Sequence, residues 1–102
     1  MVVDARSSDR FLGVVPEPRI NLRSGHIPNS HNLHFKLVLK NGKFKSKQEL
    51  IKLFAKIETD KELIFTCGSG VTACVLLMAS EIVLDNKKSI YDGSWTEYAT
   101  LE

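Results

Sequence analysis

Cysteine is scarce in this chain, aromatic side chains are few, and no sign of charge dominates. Cys67 and Cys74 are its two cysteines. Seven residues apart, they form neither a C-x-x-C redox pair nor a zinc pattern, and they are too distant to bridge within one helix. A disulfide framework is excluded, and a reducing, intracellular compartment is the economical inference. Fourteen Lys and Arg against twelve Asp and Glu leave a net charge of +2, which gives neither a nucleic-acid footprint nor an acidic tail. The lysines between Lys36 and Lys52 alternate with apolar positions and read as a solvated helix face. No stretch approaches the roughly 20 apolar residues of a membrane span, and no charged-then-apolar leader is read, so neither membrane nor nucleic acid is expected as a partner. At 102 residues the chain is one domain, 1–102, able to bury about two thirds of its unfolded surface.

Within that plain background one stretch stands out, Leu63 to Val83. Leu63-Ile64-Phe65-Thr66 is an apolar run without polar alternation, which predicts a short strand covered on both faces in a parallel sheet. Cys67 ends it. Gly68-Ser69-Gly70 follows as a tight turn, and from Val71 the apolar positions 71, 74, 75, 78 and 82 recur at helical spacing. This puts Cys67 beside a helix N-terminus, where unpaired N–H groups favour a thiolate, and it puts Cys74 on the apolar face as a core residue. Position alone leaves two readings of Cys67 open, a nucleophile or a buried structural cysteine.

Elsewhere the pattern alternates strands and helices. Met1 to Ala5 reads as a core strand, Arg6 to Leu12 as a short helical turn, and Gly13 to Arg23 as a long loop carrying Pro16 and Pro18. Gly25-His26-Ile27-Pro28 turns into a strand at His31-Asn32-Leu33, and Phe35 to Leu39 predicts a brief helix before the Asn41-Gly42 turn. His26, His31 and His34 lack ligand spacing, so no metal is expected. Ser46 and Glu49 form a capping box, and Leu50, Leu53, Phe54 and Ile57 line one face of the helix it opens. Ser89-Ile90-Tyr91 is a last strand, Asp92-Gly93 a turn, and Ser94 with Glu97 a second capping box. The alternation predicts an α/β domain with a central parallel sheet flanked by helices.

Cys67-Gly68-Ser69-Gly70-Val71-Thr72 resembles the active-site loop of the rhodanese superfamily of sulfurtransferases, in the form found in 3-mercaptopyruvate sulfurtransferases. Asp4-Ala5-Arg6, Arg10-Phe11 through Pro16-Glu17-Pro18-Arg19, Gly25-His26-Ile27-Pro28 with Asn32, and Tyr91-Asp92-Gly93-Ser94-Trp95 resemble the catalytic, C-terminal domain of those enzymes in the same order. Domains of that family open with a further strand and helix, which implies that Met1 to Glu102 is an excised fragment; Leu101-Glu102 is either native or a tag scar.

The resemblance implies that Cys67 attacks the sulfur of 3-mercaptopyruvate and carries a persulfide, which passes to a thiol, cyanide or thioredoxin. It implies that Ser69 serves proton transfer, that the N–H groups of Gly68, Gly70, Val71 and Thr72 hold anionic sulfur, and that Arg10 and Arg19 hold the substrate's carboxylate and keto oxygens. Arg6, nearer the strand end, is the candidate for a structural ion pair, and His26 is expected to hold its turn. No cofactor is implied, and the compartment is cytoplasmic or mitochondrial. An N-terminal rhodanese domain is the implied intramolecular partner. The alternative donor is thiosulfate, although enzymes specialised for it carry basic side chains where Gly68 and Ser69 stand here. Without its partner domain the chain could instead be a weak catalyst, a persulfide carrier or an interaction module. A phosphatase is set aside because Ala73 occupies the position of that family's arginine.

Overall fold

The computed structural model describes residues 1–18, 22–57, 60–68 and 72–100. Strand β1 (Val2–Asp4) is followed by helix α1 (Ser8–Leu12), β2 (His31–Asn32) and a 3-10 turn (Phe35–Val38). Strands β3 (Leu39–Lys40) and β4 (Lys43–Phe44), helix α2 (Lys47–Leu53) and β5 (Leu63–Thr66) come next. Helix α3 (Ala73–Val83), β6 (Lys88–Ile90) and α4 (Ser94–Tyr98) complete the order.

Four strands form a parallel sheet in the order β2-β1-β5-β6, with Val3 opposite both His31 and Phe65, and Phe65 opposite Ile90. This is the predicted α/β architecture. Alternate strand residues point to one face, and there Val3, Leu63 and Phe65 meet Val38, Leu50, Phe54, Leu76 and Ala79 in the core. The other face is partly open: Val2 and Ile64 share an apolar hollow with Ile27, Tyr91 and Tyr98. Burial of β5 is therefore less complete than its apolar run predicts, with Ile64 only half-buried.

Local chemistry explains the elements that frame the sheet. Ser46 Oγ accepts from the Glu49 N–H at 3.3 Å and donates to Glu49 Oε1 at 3.0 Å. The side-chain bond to Ser46 is the main cause that lowers the pKa of the Glu49 carboxyl. The Ser46 capping box thus forms as expected. Asn41 and Gly42 both adopt positive φ, 54° and 78°, the geometry of a two-residue hairpin turn. That turn joins β3 and β4, two strands of two residues each, too short for any alternation to announce them.

Helix α3 corrects the sequence reading. The expected face was 71, 74, 75, 78 and 82, whereas Ala73, Leu76, Ala79 and Ser80 are the residues buried, and Cys74, Met78 and Ile82 are exposed. Val71 lies outside the described residues. From Ala73 to Met78 the helix is apolar all round, so periodicity carries little information about which side faces the sheet. Small side chains at 73, 79 and 80 allow close approach on the buried side. Cys74 is a surface thiol and not a core residue.

Candidate active site

The C-terminal ends of β1, β5 and β6 lie side by side, and the segments leaving them build the site. Crevices at the carboxyl ends of parallel strands are where such sheets bind ligands, because loops converge there and helix N-termini face them. Cys67 follows β5 directly and is 1% exposed. Its N–H donates to Ser94 Oγ at 3.1 Å, and its carbonyl accepts from the Trp95 N–H at 2.9 Å. The Gly68 carbonyl accepts from the Thr96 N–H at 2.9 Å and from Thr96 Oγ1 at 2.5 Å. The first turn of α4 is thus satisfied by carbonyls of the cysteine loop, which ties the two segments together.

Ser94 corrects a second expectation. It is not an N-cap: it lies inside α4 with φ at 50°, and the helix has no side-chain cap. Its fully buried hydroxyl accepts from Cys67 and donates to the Tyr91 carbonyl at 2.7 Å. A left-handed conformation in a non-glycine residue costs of order 1–3 kcal/mol, and such strain persists where surrounding bonds over-determine it. Here those bonds join the ends of β5 and β6. Glu97, the other half of the expected box, instead accepts from the Tyr91 phenol at 2.6 Å. That hydrogen bond is the main reason why Tyr91 is pushed up to about 12.

Four charged side chains alternate in sign from β1 towards the cysteine loop. Asp4 receives Arg6 through Nε at 3.1 Å and Nη2 at 2.8 Å, and Arg6 Nη2 also donates to the Gly25 carbonyl at 2.7 Å. Arg6 is 2% exposed and its guanidinium lies 5.0 Å from the Trp95 ring centroid. This is the structural ion pair expected of Arg6. Arg6 Nη1 reaches Glu17 Oε2 at 3.3 Å. Glu17 in turn takes Arg10 through Nη2 at 2.8 Å and Nε at 3.3 Å.

Arg10 stands at the end of this chain, in the last turn of α1, which Ser7 caps and Gly13 closes at φ 75°. Its Nη2 would lie 2.7 Å from a Cβ built on Gly68. Glycine at 68 is explained by this space, since its φ is not in the positive range that favours glycine. The pKa of Arg10 is raised, first by the Glu17 hydrogen bond, against burial, and then by the charges of Glu17, Asp4 and Cys67. His34 precedes the 3-10 turn and meets the Phe35 ring edge-on. Its pKa is lowered by burial and then by Lys36 and Arg10. His26 holds its turn as expected: its ring stacks on Phe11 with centroids 3.8 Å apart, and Nδ1 lies 2.6 Å from the Phe11 carbonyl.

Of the residues singled out from the sequence, Cys67, Gly68 and Arg10 come together. Thr72 sits at the N-terminus of α3 and makes no side-chain cap. Ser69, Gly70, Val71 and Arg19 lie outside the described residues. Sequence reasoning did not single out Glu17, Ser94 or Trp95 as site residues. Trp95 Nε1 donates to the Arg23 carbonyl at 2.7 Å, fastening the loop after Arg23 over the strand ends. Among the described residues no helix is long and apolar enough to cross a membrane.

A cysteine at a strand end, tied to a following helix and faced by an arginine from another element, defines the class. The Rhodanese-like domain family matches residues 1–101, and the chain belongs to that family. The 3-mercaptopyruvate sulfurtransferase of Mus musculus is 45% identical over 100 residues, covering 95% of this chain and 34% of that protein. The Arabidopsis thaliana mitochondrial thiosulfate/3-mercaptopyruvate sulfurtransferase 1 is 45% identical over 101 residues, covering 96% and 27%. Among solved structures, the sulfur transferase subunit of yeast mitochondrial complex I matches with a TM-score of 0.85 and 48% identity, covering 95% of this chain and 33% of that one. The chain spans about a third of the length of these relatives.

Proposed function

We propose that this domain transfers sulfur from 3-mercaptopyruvate to a thiol or cyanide through a persulfide on Cys67. The observation that carries the reading is the meeting of Cys67 and Gly68 with the Arg10 guanidinium, delivered from α1 to the cysteine loop. The Cys67 thiolate attacks the donor sulfur, the carbon–sulfur bond breaks, and its electron pair leaves on the pyruvate enolate. The enolate takes a proton at carbon, relayed through Ser69, and departs as pyruvate. Cys67 keeps the sulfur as a persulfide until an acceptor thiolate or cyanide attacks its outer atom. Amide N–H groups from Gly68 to Thr72 stabilise the anionic sulfurs, and Arg10 with Arg19 binds the donor's carboxylate and keto oxygens.

Thiosulfate is the second donor to weigh, because one of the plant relatives bears both donors in its name. Gly68 and Ser69 offer no cation of their own to a second negative charge. Steady-state kinetics with both donors should therefore give the larger kcat/KM for 3-mercaptopyruvate. Loss of charge-assisted hydrogen bonds worth ~1.5–3 kcal/mol means that Arg10→Ala should lower that value roughly ten- to a hundred-fold. A larger kcat/KM for thiosulfate in the unaltered chain would replace this reading with a thiosulfate sulfurtransferase. Persulfide formation in a single turnover without steady-state turnover would identify a persulfide carrier that needs the rest of a longer protein.

A further inference from the structure

The Arg10 guanidinium does not reach the cysteine loop unaided. Arg10 belongs to a five-residue helix and its side chain is 29% exposed. A long arginine at such a position has ~2 kcal/mol of rotamer entropy favouring many orientations, most of them pointing into water. Yet its Nη2 is held close above Gly68. Glu17 is its bonded partner there. The Glu17 side chain is 1% exposed and receives Arg10 at two nitrogens, while Pro16 and Pro18 on either side are exposed. Glu17 is itself fixed by Arg6, and Arg6 by Asp4 and the Gly25 carbonyl. The pairing engages Nε and Nη2 of Arg10 and leaves Nη1 outside it. A guanidinium has five N–H donors in a planar fork, so a carboxylate on one edge orients the remaining donors instead of exhausting them.

We infer that Glu17 is a positioning residue: its buried carboxylate, clamped by Arg6, holds the Arg10 guanidinium over Gly68 so that its free edge serves anions at Cys67. The inference rests on the reading of Cys67 and Arg10 given above. It differs in sign from a simple charge effect. Deleting a carboxylate near Cys67 would by itself favour anions there, whereas releasing Arg10 removes the cation that attracts them.

The test uses the 102-residue chain carrying Cys74→Ser, so that Cys67 is its one thiol. Second-order rates of Cys67 modification by iodoacetate, an anion, and iodoacetamide, its neutral counterpart, are followed by mass spectrometry from pH 6 to pH 9. Their ratio reports the cation at Cys67 independently of any sulfur donor. Arg10→Ala should lower the ratio by at least about threefold, since a unit charge near a partly buried site acts in an effective dielectric well below that of water. Glu17→Gln should lower it to the Arg10→Ala value, and the double variant should fall no further. Glu17→Asp keeps the charge but shortens the reach by one methylene, so it should lower the ratio too and serves if Glu17→Gln folds poorly. An unchanged or raised ratio in Glu17→Gln and Glu17→Asp, beside a lowered one in Arg10→Ala, would overturn the role of Glu17 alone. An unchanged ratio in Arg10→Ala would overturn the assignment of Arg10 as well.

Discussion

Arg6→Ala should destabilise the domain by about 3–5 kcal/mol, because it removes one partner from a buried ion pair and leaves the other uncompensated. Among the described residues, Asp4 would keep the residue-6 N–H, at 2.9 Å, and Glu17 would keep Arg10. Total stability for a domain of this size is about 5–15 kcal/mol. The expected fall in melting temperature exceeds about 12 °C, at ~4–8 °C per kcal/mol. Arg6→Lys should not restore it, since one ammonium cannot reach the Asp4 carboxylate, Glu17 and the Gly25 carbonyl in the directions that the planar fork does. Thermal unfolding of the two variants measures this. A shift below about 3 °C in Arg6→Ala would show that the network does not hold the strand ends together.

That pair was legible in part, since Arg6 stands just beyond a predicted strand. Glu17 was not. Between two prolines in a loop it looks like an ordinary solvated carboxylate, and only the fold brings Arg6 and Arg10 to it from 11 and 7 residues away. β5 could be read from its four apolar residues, and the Ser46 capping box from its spacing, because both signals are local. Helix α3 could not be oriented, because its residues from Ala73 to Met78 are apolar on every side and the sheet decides which of them it covers. Ser94 carried the right pattern for a cap. Its hydroxyl is engaged by Cys67 and Tyr91, partners 27 and 3 residues away, and a long-range bond of that kind leaves no mark in the neighbouring sequence.

Gly68→Ala should lower kcat/KM for 3-mercaptopyruvate by roughly tenfold, and Gly68→Arg by up to about a hundred-fold. The first Cβ would stand 2.7 Å from Arg10 Nη2, closer than side-chain carbons sit to neighbours, so the guanidinium must shift from its place over the loop. An arginine at 68 displaces it altogether and substitutes a cation in a different place. The Coulomb attraction of that new charge for a dianion should raise the thiosulfate to 3-mercaptopyruvate ratio of kcat/KM. Folding should be little affected, because the atom to be moved is the far end of a flexible side chain. Gly68→Ala in an Arg10→Ala background should cost nothing further. A full tenfold loss in that background would mean that glycine serves the loop in some way other than by making room for Arg10.

Cys67 is buried and Cys74 is exposed, so simple accessibility and the proposed chemistry point to different sulfurs. Intact-mass and peptide mass spectrometry after incubation with 3-mercaptopyruvate separates them. A gain of one sulfur atom is expected, mapped to Cys67, abolished by Cys67→Ser and retained in Cys74→Ser. A sulfur atom found on Cys74 with Cys67 unmodified, or no gain at all in the folded chain, would contradict the proposed chemistry.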